Sequence, residues 1–185
     1  MKRLTIAMGV GVLAGTITWA QGQPAATTGT RSSSTASATL RDTQGHSIGH
    51  VQLRQTPQGV LLKLELKNAT PGIHGVHVHE VGRCERPSFE SAGGHFNPTG
   101  REHGFVSPLG PHAGDLPNIE VPSTKQLSVE YFMPEVTIEP ARDSLLDADG
   151  AALVIHAHSD DYASEPAGES GVRLACGEFV ASNSR

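Results

Sequence analysis

The sequence predicts an all-β fold: an antiparallel sandwich or barrel of about eight short strands that carries two long loops. Three observations carry this expectation. Short apolar runs alternate with polar residues, most clearly in Val60-Leu61-Leu62-Lys63-Leu64-Glu65-Leu66, and a period of two marks a half-buried strand. Turn signals interrupt these runs at close intervals in a chain with 21 glycines and 12 prolines, the residues that most often punctuate secondary structure. No segment shows the spacing of three and four that marks an amphipathic helix.

Strand signals begin near Ser37, where Ala38, Leu40, Ile48, Val51 and Leu53 alternate loosely with polar residues. Gln44-Gly45-His46 reads as the turn between two strands, and Pro57-Gln58-Gly59 as the turn before Val60–Leu66. Thr70-Pro71-Gly72 turns again, and Gly75–Glu80 reads as a strand with His77 and His79 on one face. From Gly82 to Pro117 no strand pattern is evident. A loop of that length inside a compact domain serves a function or lacks order, and its histidines favour the first, because metal bonds can order a loop. Val121–Glu139 holds two weaker strand patterns, the second ending in Val136-Thr137-Ile138. Leu145–Gly150 turns into a strand over Ala152–His156, Ala157–Gly171 forms a second loop, and Arg173–Val180 is the last strand.

A chain of 185 residues fits one domain with extra length at an end. The formal charge of −5 argues against a nucleic-acid surface and offers anions no general attraction. Residues 1–20 read as an export signal: Lys2 and Arg3 are followed by the mostly apolar Leu4–Ile17 and a small–x–small ending at Ala20. The apolar run is short for a bilayer span, so no stable membrane insertion is expected once the signal is removed. Residues 21–36, rich in Thr, Ser, Gly, Ala, Gln and Pro, read as a flexible linker, and the domain proper is expected over 37–185. Location in the periplasm, the cell envelope or outside the cell follows from export. In such a compartment two cysteines, Cys84 and Cys176, favour one disulfide. The alternative is a cysteine metal ligand, although neither has a C-x-x-C neighbour.

The chemistry is concentrated in seven residues: His77, His79, His95, His103, His112, Asp115 and His156. Imidazole is the commonest side-chain ligand for copper and zinc. His77 and His79 can reach one metal from a single strand face, while His112-x-x-Asp115 and His103 form a loop-borne set. One site of four nitrogens and one of three nitrogens and an oxygen can be assembled if one histidine serves both. Four nitrogens suit copper(II), and a tetrahedral set with a carboxylate suits zinc. Two other patterns compete. His156-Ala157-His158-Ser159-Asp160-Asp161 is similar to the H-x-H-x-D-H of metallo-β-lactamase-type hydrolases, but the remaining ligands of that site are missing. Asp147-Ala148-Asp149-Gly150 has the look of a calcium loop but lacks the closing glutamate.

Four motifs carry a resemblance to the copper/zinc superoxide dismutase family. Gly75-Val76-His77-Val78-His79-Glu80 resembles G-F-H-V-H-E. Ser91-Ala92-Gly93-Gly94-His95-Phe96-Asn97-Pro98 resembles S-A-G-x-H-F-N-P. His112-Ala113-Gly114-Asp115-Leu116 matches H-x-G-D-L, and Gly171-Val172-Arg173-Leu174-Ala175-Cys176-Gly177 matches G-x-R-L-A-C-G. The resemblance runs from about Ser37 to Val180 and implies an eight-stranded Greek-key sandwich. It implies one copper per subunit on His77, His79, His95 and His156, and one zinc on His95, His103, His112 and Asp115. The implied activity is disproportionation of superoxide to O2 and hydrogen peroxide by alternating Cu(II) and Cu(I), with His95 as bridging imidazolate. Arg173 would pair with the substrate anion, and Asp160 would hydrogen-bond His77 and His103. The implied disulfide is Cys84–Cys176. His74 is expected to be structural, His158 a solvated loop residue, and His46 and His50 turn or surface residues.

Two departures stand out. The spacing from Cys84 to His95 is longer than in eukaryotic members and similar to bacterial exported forms. The loop over Ala157–Val172 contains Asp160, Asp161, Glu165 and Glu169 but no lysine, so the steering lysine of eukaryotic members is unmatched. The alternative function is a non-catalytic copper or zinc carrier on the same fold. A homodimer and a monomer are both compatible with the sequence.

Overall fold

The computed structural model describes residues 34–182. The expected export signal over 1–20 and the linker up to residue 33 lie outside the described residues. Among the described residues there are nine strands: β1 Thr35–Asp42, β2 Ser47–Thr56, β3 Gly59–Lys67, β4 Gly72–His79, β5 Asp115–Val121, β6 Gln126–Met133, β7 Ala152–His156, β8 Arg173–Glu178 and the two-residue β9 Val180–Ala181. Eight of them run in the order β5-β4-β7-β8-β1-β2-β3-β6, and β9 pairs with β1. All the strand pairings are antiparallel. The β3–β4 and β6–β7 connections join strands that are not neighbours in the sheet, as a Greek key requires.

The end strands β5 and β6 close the sheet towards a barrel. They share no ladder, but the Tyr131 hydroxyl in β6 donates to the Pro117 carbonyl in β5 at 2.9 Å. β3 shows why the strands form. Val60, Leu62, Leu64 and Leu66 alternate into the core and are essentially inaccessible, while Leu61, Lys63 and Glu65 face outward and are only partly covered. They meet Val51 and Leu53 of β2 and Val76 and Val78 of β4 in one continuous apolar cluster.

Five boundaries differ from the sequence expectation, the first being β4, which starts at Gly72 and ends at His79 where a strand over Gly75–Glu80 is expected. β1 starts at Thr35, so Thr35 and Ala36 belong to the sheet and not to a linker. Ala36 is buried opposite Leu53, and small residues that resemble linker composition here fit a close strand contact. β5 begins at Asp115, inside the stretch expected to be strandless. Pro117 falls where the β4–β5 register shifts, a position where an edge strand tolerates a residue without an N–H. Val136-Thr137-Ile138 is not a strand. Gln55 Oε1 accepts from Thr137 Oγ1 at 2.9 Å and from Ile138 N at 2.8 Å, and the two buried aliphatic side chains join the core without a ladder. The last expected strand is broken into β8 and β9.

The face of β4 opposite the core positions the functional residues. Val76 and Val78 point into the barrel, so His77 and His79 point out of it. Their partners in β7 are Val154 and Ala152, and two residues further His156 lies on that same face. The two long loops, 80–114 and 157–172, fold over this surface and bury it.

Candidate metal centre

All seven predicted ligand residues converge. The donor atoms of His77, His79, His95 and His156 lie within 4.8 Å of one another, as do those of His95, His103, His112 and Asp115. His95 belongs to both groups. Every member is buried, although four of them come from the first loop or its end.

Backbone contacts bring the loop to the strand. His79 and His95 form an isolated antiparallel bridge. The Val78 carbonyl accepts from Phe96 N at 2.8 Å, and Val78 N donates to the Gly114 carbonyl at 2.8 Å. A Cβ at Gly114 would lie 2.3 Å from the Val78 carbonyl oxygen, so only glycine permits this approach.

Hydrogen bonds on the far side of each ring decide which nitrogen faces inward. His79 Nδ1 is 2.9 Å from the Gly93 carbonyl and His156 Nδ1 is 3.2 Å from that of Gly171. A carbonyl only accepts, so both Nδ1 atoms carry hydrogen and both Nε2 atoms present a lone pair. Those two Nε2 atoms are 3.4 Å apart. Asp160 accepts from His77 Nε2 at 2.8 Å and from His103 Nε2 at 3.0 Å, which turns the opposite nitrogen of each ring, Nδ1, inward. His77 Nδ1, His103 Nδ1 and His95 Nε2 are buried without a hydrogen-bond partner. His103 Nδ1 lies 3.1 Å from Asp115 Oδ2, but at an angle that makes no hydrogen bond. Buried nitrogens are rarely left unpaired, and three orphans within these donor groups fit metal ions.

The spacing fits as well. Ligand atoms around a tetrahedral ion with bonds of about 2.0 Å sit roughly 3.3 Å apart. His112 Nδ1 is 3.3 Å from His95 Nδ1 and 3.3 Å from Asp115 Oδ1, and His95 Nδ1 is 2.8 Å from Asp115 Oδ1. The two nitrogens of His95 therefore face different groups: Nδ1 the set with the carboxylate, and Nε2 the all-histidine set.

The electrostatics of the two halves differ. Burial holds His79 well below the ordinary histidine range, with the charges of His95 and Arg173 adding to the effect. Burial likewise pushes His95 down to about 4, against its hydrogen bond with Asp115, and His156 down to about 3, helped by His77. Around the carboxylates the balance reverses. Burial would raise Asp115, but the close contacts of His103, His112 and His95 outweigh it and hold the carboxyl far below its ordinary range. Burial also opposes charge on Asp160, where His103 and His77 prevail and its carboxyl is lowered. Burial alone would lower His103, yet the Asp115 carboxylate at 3.1 Å and the hydrogen bond to Asp160 raise it. Burial thus governs His79, His95 and His156, whereas the contacts between imidazole and carboxylate govern the half that holds His103 and Asp115.

Arg173 stands beside the all-histidine set. Its terminal nitrogens donate at 2.6 Å each to the Phe89 and Gly93 carbonyls. The segment bearing those carbonyls is tied down by the Cys84–Cys176 disulfide, whose Cα atoms are 5.7 Å apart. It also packs through Phe89 and Ala92 against Ala152 and Val154 of β7. The expected pairing of the two cysteines is therefore present. His74 is buried between the His156 and Thr70 carbonyls at 2.8 and 3.0 Å, in keeping with a structural role, and His158 is exposed.

Several supporting residues have no motif to announce them. Asn118 pairs with the Asp160 backbone in both directions, at 2.8 Å each way. Gly168, at φ 63°, leaves room for the Asp160 carboxylate, which a Cβ there would approach to 1.7 Å. Glu165, one of the loop acids, accepts from His103 N at 2.6 Å and so anchors the backbone of a candidate ligand. The only local signal is the cluster of Gly and Asp in the second loop.

The family described as "Copper/zinc superoxide dismutase (SODC)" matches residues 47–179. Superoxide dismutase (Cu-Zn) 2 of Aquifex aeolicus (strain VF5) is 46% identical over 144 residues, covering 77% of this chain and 84% of the relative. Superoxide dismutase (Cu-Zn) of Caulobacter vibrioides is 43% identical over 145 residues, covering 77% and 83%. The crystal structure of a SOD-like protein from Bacillus subtilis superposes with a TM-score of 0.75 at 37% identity, covering 78% of this chain and 97% of that one. With its strand order, its paired histidine sets and these relatives, the chain belongs to the copper/zinc superoxide dismutase family.

Proposed function

We propose that the protein is an exported superoxide dismutase that turns two superoxide anions and two protons into O2 and hydrogen peroxide. Copper is assigned to His77, His79, His95 and His156, and zinc to His95, His103, His112 and Asp115. The observation that carries this reading is His95, whose two ring nitrogens face the two groups separately. A set of four imidazoles suits copper, and a site that buries a carboxylate suits zinc. Copper supplies a one-electron couple that the same small anion can reduce and reoxidise, whereas zinc has no redox chemistry.

The residues around the metals have separable tasks. Arg173 attracts and orients the anion from a half-buried position, where its charge counts for more than in water. His95 Nε2 takes up a proton in one half of the cycle and yields it as peroxide forms. The Asp115 side holds the other edge of the same ring, so proton movement at Nε2 leaves the ring in place. Asp160 fixes the tilt of one histidine from each group and holds the two halves in register. Export to the cell envelope would put this activity where external superoxide arrives.

The Bacillus relative bears the name SOD-like protein, and a metal carrier on this fold is the competing reading. Protein loaded with one copper and one zinc per chain is expected to remove superoxide catalytically. Full loading of both metals without catalysis would leave only the carrier.

A further inference from the structure

We infer that Glu80 is a positioning residue that acts, through the single peptide unit joining Gly93 to Gly94, on both His79 and Arg173. The inference rests on the proposed assignment of His79 to copper and of Arg173 to the substrate anion. The Gly93 carbonyl accepts from His79 Nδ1 at 2.9 Å and from Arg173 at 2.6 Å. The other end of that same peptide, the Gly94 N–H, donates to Glu80 Oε1 at 3.0 Å. A peptide unit is planar and rigid, so the group that holds its N–H also sets the direction of its C=O. Donation to a carboxylate is charge-assisted, and it polarises the peptide so that the carbonyl becomes a better acceptor.

The surrounding geometry is built for this contact. Gly93 has φ 74° and ψ −153°, a region open essentially to glycine alone. A Cβ there would lie 2.8 Å from Glu80 Oε1 and 2.9 Å from its Cγ, so the carboxylate sits against a position that no other residue could hold. Glu80 N also donates to the Gly94 carbonyl at 3.0 Å. The backbone and the side chain of Glu80 thus grip the loop at adjacent points. Glu80 directly follows the ligand His79, and its other contact reaches a loop that the disulfide ties to β8. One exposed side chain therefore couples the orientation of a metal ligand to that of the guanidinium facing the substrate.

Glu80→Ala and Glu80→Gln in the full chain test this, with Gln keeping an acceptor and losing the charge. In copper-free protein, Glu80→Ala is expected to move the Gly94 amide resonance upfield and to speed hydrogen exchange of the Arg173 guanidinium. In copper-loaded protein it is expected to change the Cu(II) hyperfine splitting and to weaken azide binding by roughly three- to tenfold. Glu80→Gln should restore most of each effect. If the Arg173 exchange rate and the azide constant stay at wild-type values in Glu80→Ala, even with a lowered melting temperature, Glu80 is structural only and the inference fails. Wild-type protein that binds both metals without dismutation would sink the proposed function, and the copper-free measurements would still decide the role of Glu80.

Discussion

At position 173 a guanidinium is held by two carbonyls, Phe89 and Gly93, and not by a carboxylate. Carbonyl partners fix its direction and leave its full positive charge for an incoming anion. Burial lowers its pKa, with Glu90 opposing, yet a guanidinium stays protonated in proteins. Arg173→Ala is therefore expected to slow superoxide removal by at least about tenfold with copper still bound. Loss of copper in that variant would contradict the role. The histidines make a second prediction. His95 and His156 have folded pKa values of about 4 and about 3 against an ordinary 6.5, so between these limits the unfolded chain binds more protons than the folded one. Their contribution is complete above about pH 6.5 and is lost as pH falls through 4 and 3, on the order of a few kcal/mol each. His103 is shifted the other way, so its contribution is present below pH 6.5 and is lost as pH rises through its raised folded value. Melting of metal-free protein across the pH range should show stability falling on both sides of near-neutral pH. A steady gain in stability down to about pH 4 would contradict these shifts.

Strand β4 is legible in the sequence because its pattern is local. A period of two puts His77 and His79 on one face and Val76 and Val78 on the other, and the fold keeps that division. β3 is legible for the same reason. The supports of the second loop are not, because their partners are far away in sequence: Asn118 meets Asp160 across 42 residues, and nothing periodic marks either. Gly168 makes the loop's role testable. At φ 63°, with the Asp160 carboxylate where a Cβ would be, Gly168→Ala must displace that carboxylate from both His77 and His103. Affinity for zinc and for copper should each fall by about 10- to 100-fold, measured by competition with chelators. Unchanged affinity for both would mean that Asp160 does not orient the rings. Val136-Thr137-Ile138 marks the limit of reading by alternation, since its apolar residues are buried without any ladder.

Across the whole molecule, the barrel supplies a rigid face and the first loop supplies three of the seven candidate ligand residues, with Asp115 at its junction with β5, so loop order has to come from somewhere other than strand pairing. The Cys84–Cys176 bridge spans 92 residues, and the chain-entropy model gives such a crosslink about 4–5 kcal/mol. A Cys84→Ser, Cys176→Ser variant should lose stability of that order in denaturant unfolding, and it should lose activity before the barrel melts as the Phe89 and Gly93 carbonyls leave Arg173. Joint loss of fold and activity at one midpoint would show that the bridge serves stability alone. Five of the seven candidate ligand residues are legible because they sit in short recognisable strings, whereas His103 and His156 lie outside those strings and are placed by the family resemblance. The meeting of those strings on one outer face of β4 and β7 depends on topology, which no single string contains. The central claim is that one ring joins two metal sites, and a crystal structure of protein loaded with copper and zinc tests it most directly. His95 Nε2 should bind copper and His95 Nδ1 zinc in at least one oxidation state. A His95 ring bound to only one metal in every state, or a copper group without His77, His79 and His156, would contradict the account.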